Sequence, residues 1–374
     1  MQPEQKQPIT RREFIRDTAA AAGLAIGLSV LKPRTVLAAP ADKPAIEKTR
    51  SYNPGMEYRR LGQTGLWVSA VCLGGHWKRI DKVIAAKGAI SPYTAPMNAG
   101  DMDAFLKNRD EVVSRCMEVG INTIDFAGDS EAEVYCKVLG KRREQMFLAY
   151  SHPASELREP PNRTCKKLLE LFEAGLKRCN LEYADIWRLM CLERGGEHSA
   201  AETDEMLQAL ETAKKQGKCR FTGISTHDRD WAQALIEKHP NLLQVLVFPY
   251  TARSKALPEH SLFDTIKKYD IGTLGIKPFA SNAIFKGDGS PASPMAEEDC
   301  RIARLTIRFI LNNPQMTAPI PGLISKQQVD NMAQAVKERR ELDAGEKAEL
   351  DKANDEMYAR LPADYQWLKQ WEYV

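Results

Sequence analysis

Eight short apolar runs recur along the chain, separated by segments whose apolar residues fall three and four positions apart. The runs are Ala70–Gly74, Asn122–Phe126, Met146–Tyr150, Asp185–Met190, Cys219–Ile224, Leu243–Phe248, Gly272–Ile276 and Met316–Ile320. Helical patterns between them include Arg109–Val119, Arg163–Cys179, Thr203–Gln216 and Cys300–Asn312. Short apolar runs fit buried strands, and the three-and-four spacing fits amphipathic helices. Strict alternation of the two makes the strands parallel, and eight repeats predict closure. The expected fold is therefore α/β, a (β/α)8 TIM barrel. A doubly wound open sheet is the structural alternative, but Gly74-Gly75-His76-Trp77 after the first run lacks the third glycine of a dinucleotide fingerprint.

Ahead of the barrel, Glu57 to Ser69 carries a Gly62-Gln63-Thr64-Gly65 turn between two strand-like runs, which predicts an N-terminal β-hairpin cap. Behind it, Ala344–Leu361 reads as an extra helix, followed by an aromatic strap with Tyr365, Trp367, Trp371 and Tyr373. The divisions are a signal at 1–41, a Pro-, Lys- and Ala-rich linker at 42–55, the barrel at 56–342 and the C-terminal helix and tail at 343–374.

The signal rests on Thr10-Arg11-Arg12-Glu13-Phe14-Ile15, a small and apolar run from Ala19 to Leu31, and Ala38-Ala39-Pro40-Ala41. A basic start, a weakly hydrophobic middle and a small-residue end make a twin-arginine signal. It implies the Tat translocation machinery as a partner and a periplasmic or exported protein. An uncleaved N-terminal anchor is the alternative. No later stretch is long and apolar enough to span a membrane, so the mature chain is expected to be soluble.

With 53 basic and 50 acidic residues the net charge is only +3, which gives none of the electrostatic footprint of a nucleic-acid binder. Eight cysteines are present with no Cys-x-x-Cys pair, so an iron–sulfur cluster or structural zinc lacks its usual spacing. Most lie in apolar runs, where buried free thiols are expected.

In such barrels chemistry sits where the strands end. The residues to read there are His76 and Trp77, Asp125, Tyr150 to His152, Arg188 to Glu193, Ser225 to His227, Phe248 to Thr251, Lys277, and Pro321 to Ser325. The long stretch from Lys78 to Leu106 is a candidate lid, with a harmless surface excursion as its alternative.

Met56-Glu57-Tyr58-Arg59-Arg60-Leu61-Gly62-Gln63-Thr64-Gly65-Leu66-Trp67-Val68-Ser69 closely resembles the opening hairpin of bacterial aldo/keto reductases. Gly120-Ile121-Asn122-Thr123-Ile124-Asp125 is similar to that family's second strand, and Gly217 through Ser225 to its fifth. Asn313-Pro314 through Gly322, then Gln328-Val329-Asp330-Asn331, is similar to its eighth strand and cofactor loop-helix. The resemblance covers roughly residues 56 to 342. It implies a barrel that binds NADP(H), or less often NAD(H), in extended form.

Carbonyl reduction by hydride transfer needs a proton donor beside the oxygen. The family uses a Tyr, a Lys paired to an Asp, and a His. Only the Asp has a counterpart, Asp125. The segment Asp125-Phe126-Ala127-Gly128-Asp129-Ser130-Glu131 lacks the Tyr, Tyr150-Ser151 stands in place of Thr-Lys, and Met190, followed by Cys191, replaces the His. The cofactor set is better kept. Ser225 matches the carboxamide-binding Ser, with Thr226 after it, while Gly322, Ser325, Gln328 and Asn331 match the loop-helix that grips the adenosine end. Lys326 adds a charge suited to a 2′-phosphate. Ordinary helix capping by Ser325 and Gln328 is the alternative. The glutamine that faces the nicotinamide aligns with Gln244 or Val247.

Substitute groups are available. His152 and Tyr150 are candidate proton sources near Asp125, set against a loop start and a core ring. Lys277 is a candidate to neutralise Asp125 or hold an anionic substrate, His76 and Trp77 to form a substrate wall, and Arg188 to pair with Glu193. A metal site of His76, Asp125 and His152 is conceivable, although no spacing demands it. Three functions follow: an NADP-dependent oxidoreductase acting on a small carbonyl or sugar-like substrate, an inactive barrel serving as a binding protein, and a non-redox lyase or isomerase.

Overall fold

Tyr58–Arg60 (β1) and Trp67–Ser69 (β2) pair antiparallel with Tyr58 opposite Ser69, and the expected hairpin is formed. Its apolar side chains Leu61, Leu66 and Val68 join the cluster that fills the barrel interior, so the hairpin plugs the barrel base. Gly62 sits at φ +49° against the run that begins at Gly272, where a Cβ would meet the Gly272 nitrogen at 2.2 Å. This computed structural model describes residues 43–74, 76–84, 99–127, 130–152 and 156–374. The twin-arginine segment lies outside them.

Seven strands form one parallel sheet in sequence order: β3 (Thr123–Asp125), β4 (Phe147–Tyr150), β5 (Ala184–Met190), β6 (Cys219–Ser225), β7 (Val245–Pro249), β8 (Gly272–Ile276) and β9 (Ala318–Pro319). The first apolar run completes the ring as bridges: Leu73 pairs with Ile124, Gly74 with Gly322, and the Cys72 N–H donates to the Pro319 carbonyl at 3.0 Å. The chain passes tightly there, since a Cβ on Gly74 would lie 2.6 Å from Ile320 Cγ2 and 2.9 Å from the Asp125 carbonyl. Seven parallel strands and the bridged first run make one ring, so the fold is the expected (β/α)8 barrel with a hairpin cap.

The helices are α1 (Ala99–Val119), α2 (Glu131–Leu139), α3 (Cys165–Arg178), α4 (Ala200–Lys215), α5 (Arg229–Lys238), α6 (Leu262–Tyr269), α7 (Ala296–Leu311), α8 (Lys326–Lys337) and α9 (Ala344–Arg360). Their starts are written locally: Ser199 with Glu202, Ser261 with Asp264 and Asp343 with Glu346 form capping boxes. Helix α1 starts ten residues earlier than its periodicity suggested, and residues 85–98 of the expected lid lie outside the described residues.

Part of the expected linker is built into the barrel base. Arg50 donates to Asp185 Oδ2 at 2.9 Å, beside Arg143 at 2.9 Å and Arg220 at 3.2 Å. A fully buried carboxylate needs such partners, and they hold Asp185 below the ordinary value against the upward push of burial. All eight cysteines are free thiols.

After α9 the chain forms a 3-10 segment, Ala363–Trp371, that crosses the mouth of the barrel. Its end is fastened to the loop after β7: the Leu257 N–H donates to the Val374 carbonyl at 2.9 Å, the Val374 N–H to Lys255 at 2.8 Å, and Trp371 stacks on Phe248 at 6.2 Å. Among the described residues no helix is long and apolar enough to cross a membrane.

Candidate active site

Side-chain alternation decides which residues meet at the mouth. Phe147, Ala149, Ile186, Val245, Val247, Leu274, Ala318 and Ile320 fill the barrel interior. One or two steps of two further along the strands bring Asp125, Arg188, Met190, Ser225, Ile276 and Gly322 to the same inner face, where they line a cleft of about 780 Å³.

At its floor Arg188 Nε donates to Asp125 Oδ1 at 2.7 Å and Nη2 to Oδ2 at 2.8 Å, with 1% and 0% of the two side chains exposed. Nη2 also reaches the Phe126 carbonyl at 2.8 Å, while Nη1 is buried with no partner among the described residues. Burial holds the Asp125 carboxyl above its ordinary value although Arg188 opposes it; the guanidinium keeps its charge, and both carboxyl oxygens accept from it. Arg188 thus does not pair with Glu193, which lies out on the rim 3.7 Å from Arg158. Nor does Lys277 neutralise Asp125. Its ammonium lies over the rings of Tyr365 (5.0 Å) and Trp367 (5.7 Å). The signal for the true pair was the even spacing of Ile186 and Arg188 along one strand.

One arm of the cleft runs past Ser225 to the start of α8. Ser325 accepts from the Gln328 N–H at 3.2 Å, and Gln328 Oε1 accepts from Ile324 at 2.9 Å, so Ser325 caps the helix without completing a box. Asn331 lines the cleft but is tied to α7 through the Cys300 carbonyl (2.9 Å) and Arg304 (2.7 Å). Lys326 turns outward, 3.7 Å from Glu111 on α1. Neither nicotinamide-facing candidate reaches the cleft: Gln244 accepts from Lys214 at 2.6 Å, and Val247 is interior core. Thr226 is buried, with its hydroxyl on the Leu192 carbonyl at 3.3 Å.

The opposite wall includes groups that sequence reasoning missed. His76 Nδ1 stands 3.2 Å from Glu131 Oε1. Lys78, Lys277, Ser281 and Tyr365 gather beside it in the cleft lining. Lys277, Ala280, Ser281 and Asn282 all have positive φ, from 47° to 69°, a concentration of strained backbone typical of ligand clamps. His227 stacks on Trp367 at 4.1 Å; burial, then Lys277 and Arg158, push it down to about 3, so it is neutral at physiological pH.

A family model described as "Aldo/keto reductase family" matches residues 106–355. The chain belongs to the aldo/keto reductase family. This aldo/keto reductase is 23% identical to the L-galactose dehydrogenase of Arabidopsis thaliana over 306 residues, 76% of this chain and 89% of that one. It is 23% identical to the L-glyceraldehyde 3-phosphate reductase of Escherichia coli O157:H7 over 297 residues, 75% of this chain and 78% of that one. Its fold matches the aldo-keto reductase AKR11C1 of Bacillus halodurans in its holo form (TM-score 0.55, 18% identity, 80% of this chain and 96% of that one). It also matches a Klebsiella pneumoniae aldo-keto reductase solved with NADPH (TM-score 0.58, 17% identity, 79% and 94%).

Several residues expected at the mouth of this aldo/keto reductase lie elsewhere. Tyr150 follows inward-facing Ala149 and so points outward, between Phe126 (6.0 Å) and Phe172 (5.3 Å) with its hydroxyl over Gly175. His152 faces away from Asp125, its Nε2 3.4 Å from Arg178 on α3. Trp77 is 1% exposed and packs edge-on to Phe105 at 4.9 Å, so of the proposed substrate wall only His76 lines the cleft. Without His152 the imagined metal set is not assembled, and no group of three or more metal-ligating side chains occurs among the described residues.

The Tyr150 hydroxyl is buried without a partner among the described residues. An unsatisfied hydroxyl costs about 1–3 kcal/mol. Tyr150→Phe is therefore expected to raise the urea midpoint and leave turnover unchanged; a loss of activity would return Tyr150 to the site.

Proposed function

We propose that this chain is an NADP(H)-binding oxidoreductase acting on a small carbonyl or sugar-like substrate, with a catalytic site that departs from the family's usual set. The reading rests on the continuity of one cleft from the Asp125–Arg188 pair, past Ser225 and Gly322, to the α8 N-terminus. Gly322 gives the chain a close, side-chain-free passage there, and the N-terminus of α8, where Ser325 holds the Gln328 N–H, borders the cleft as a dipole end suited to an anion. Arg188 Nη1, a buried donor lacking an acceptor among the described residues, fits a ligand oxygen at the floor.

When bound, the nicotinamide exchanges a hydride with the substrate carbon. The chain's own residues hold and polarise. Asp125 fixes the guanidinium of Arg188 by two bonds, the role the family gives to a Lys, while inward-facing Ser151 and Met190 stand where the Lys and His are expected. Ile276, Phe279 and Ile320 supply apolar lining beside that pair. The sugar-like substrate is suggested by the names of the two relatives given above. Export by the twin-arginine route is inferred from Arg11-Arg12 and the run after them; since that route carries folded proteins, cofactor would leave the cytoplasm already bound.

The test is to recover the protein from a periplasmic fraction, assay co-purifying cofactor, and titrate NADPH by fluorescence quenching. Saturable micromolar binding is expected. Lys326→Ala is expected to weaken NADPH about tenfold and NADH little: a charged hydrogen bond to the 2′-phosphate is worth about 1.5–3 kcal/mol, and the exposed Glu111 pair that Lys326 gives up for it is weak. No binding at millimolar cofactor would turn the reading toward a binding barrel or a lyase, and protein confined to the cytoplasm would refute export.

A further inference from the structure

Tyr365 lies beyond the region that matches the family model, yet the strap carries it into the cleft. Lys78 Nζ, from the loop after the first strand, donates to Ser281 Oγ at 2.6 Å and to Tyr365 Oη at 3.3 Å. Lys277 Nζ, from the loop after β8, lies 5.0 Å from the Tyr365 ring centre. The positive φ of Lys277 (59°) turns this residue out of the strand path. Trp367, clamped on His227, and the pairing of residues 372–374 with the β7 loop fix the strap in place.

We propose that Tyr365 is the proton-transfer residue of this site, with its phenolate held by Lys78 and Lys277. The assignment rests on the oxidoreductase reading above. Two ammonium groups beside one hydroxyl repel each other, and the arrangement gains most when the oxygen between them is negative. Lys277 is itself held below its ordinary value by burial and by Lys78, with Tyr365 and Glu193 pulling the other way; Arg158 lies near His227, which is neutral. Burial pushes the Tyr365 phenol up, but Lys277, the bond to Ser281 and Lys78 outweigh it and hold the phenol below its ordinary value. A depressed phenol is a better donor near neutral pH.

In the reduction, the substrate carbon accepts a hydride at the expense of reduced nicotinamide as the C=O π pair moves to oxygen. That oxygen takes the Tyr365 Oη proton. An alcohol leaves, and the phenolate regains a proton from water. Oxidation runs the same steps in reverse.

The experiment begins with a spectrophotometric tyrosine titration of cofactor-free wild type, Tyr365→Phe and Lys277→Met. NADPH affinity and steady-state kinetics with glyceraldehyde as probe follow. One phenol is expected to ionise below the usual ~10 in wild type, to vanish in Tyr365→Phe and to move up in Lys277→Met. Tyr365→Phe is expected to lose about 10²–10⁴ in kcat with NADPH affinity unchanged. The assignment is overturned if the early phenol persists in Tyr365→Phe or if that variant turns over like wild type. Wild type that binds no NADPH while showing the early phenol would overturn the oxidoreductase reading with the lysine–tyrosine cluster intact, so the two failures are distinguishable.

Discussion

Replacing Arg188 by methionine is expected to cost about 3–5 kcal/mol of stability and to abolish turnover, because it strands a buried carboxylate. Asp125 is 0% exposed, both its oxygens bond to Arg188, and Glu131 close by adds repulsion. The Asp125→Leu/Arg188→Met double variant is expected to recover most of the stability but none of the activity, since a buried ion pair exchanged for apolar groups is often near neutral. Urea unfolding of the single and double variants measures this. If Arg188→Met proved as stable as wild type, the pair would not be the dry, closed bridge described here.

The second large effect concerns a carboxyl outside the cleft lining. Glu156 is 1% exposed; Oε1 accepts from Trp187 Nε1 at 3.2 Å, and Oε2 has no partner among the described residues. Burial pushes it up to about 7, against the pull of Trp187, the His152 backbone and Arg188. The folded value is above the unfolded one, so the folded state holds a proton that the unfolded chain has released. Stability from this group is fully present below about pH 4.5 and is lost as pH rises through 7. The loss amounts to roughly 3 kcal/mol at 1.36 kcal/mol per unit. Glu156→Gln keeps the Trp187 bond and removes the titration, so it is expected to gain on wild type steadily from pH 4.5 to 8. A difference between the two proteins that stayed flat across that range would refute the assignment.

Much of the architecture was written locally. The alternation of apolar runs and helical periods named the barrel strands, and ordered blocks such as Gly62-Gln63-Thr64-Gly65 and Gln328-Val329-Asp330-Asn331 pointed to the family. These signals are legible because periodicity and turns depend on near neighbours. The site was only half legible. Asp125, Ser225 and Gly322 were found as strand-end residues, and the structure adds that they share one inner face.

Which strand-end residue faces inward depends on register, and a shift of one position reverses it. That reversal moved Tyr150 from the expected mouth to the packing layer against α3 and brought Arg188 onto Asp125. The placement of Tyr365 is of another kind. It lies 240 positions after Asp125 in the chain, yet lines the same cleft because the strap folds back over the mouth and is fastened beside β7. The sequence alone determined the strands, the helices and the chemistry on offer; only tertiary packing decided which of those groups meet, because that depends on barrel closure and on contacts between residues far apart in the chain.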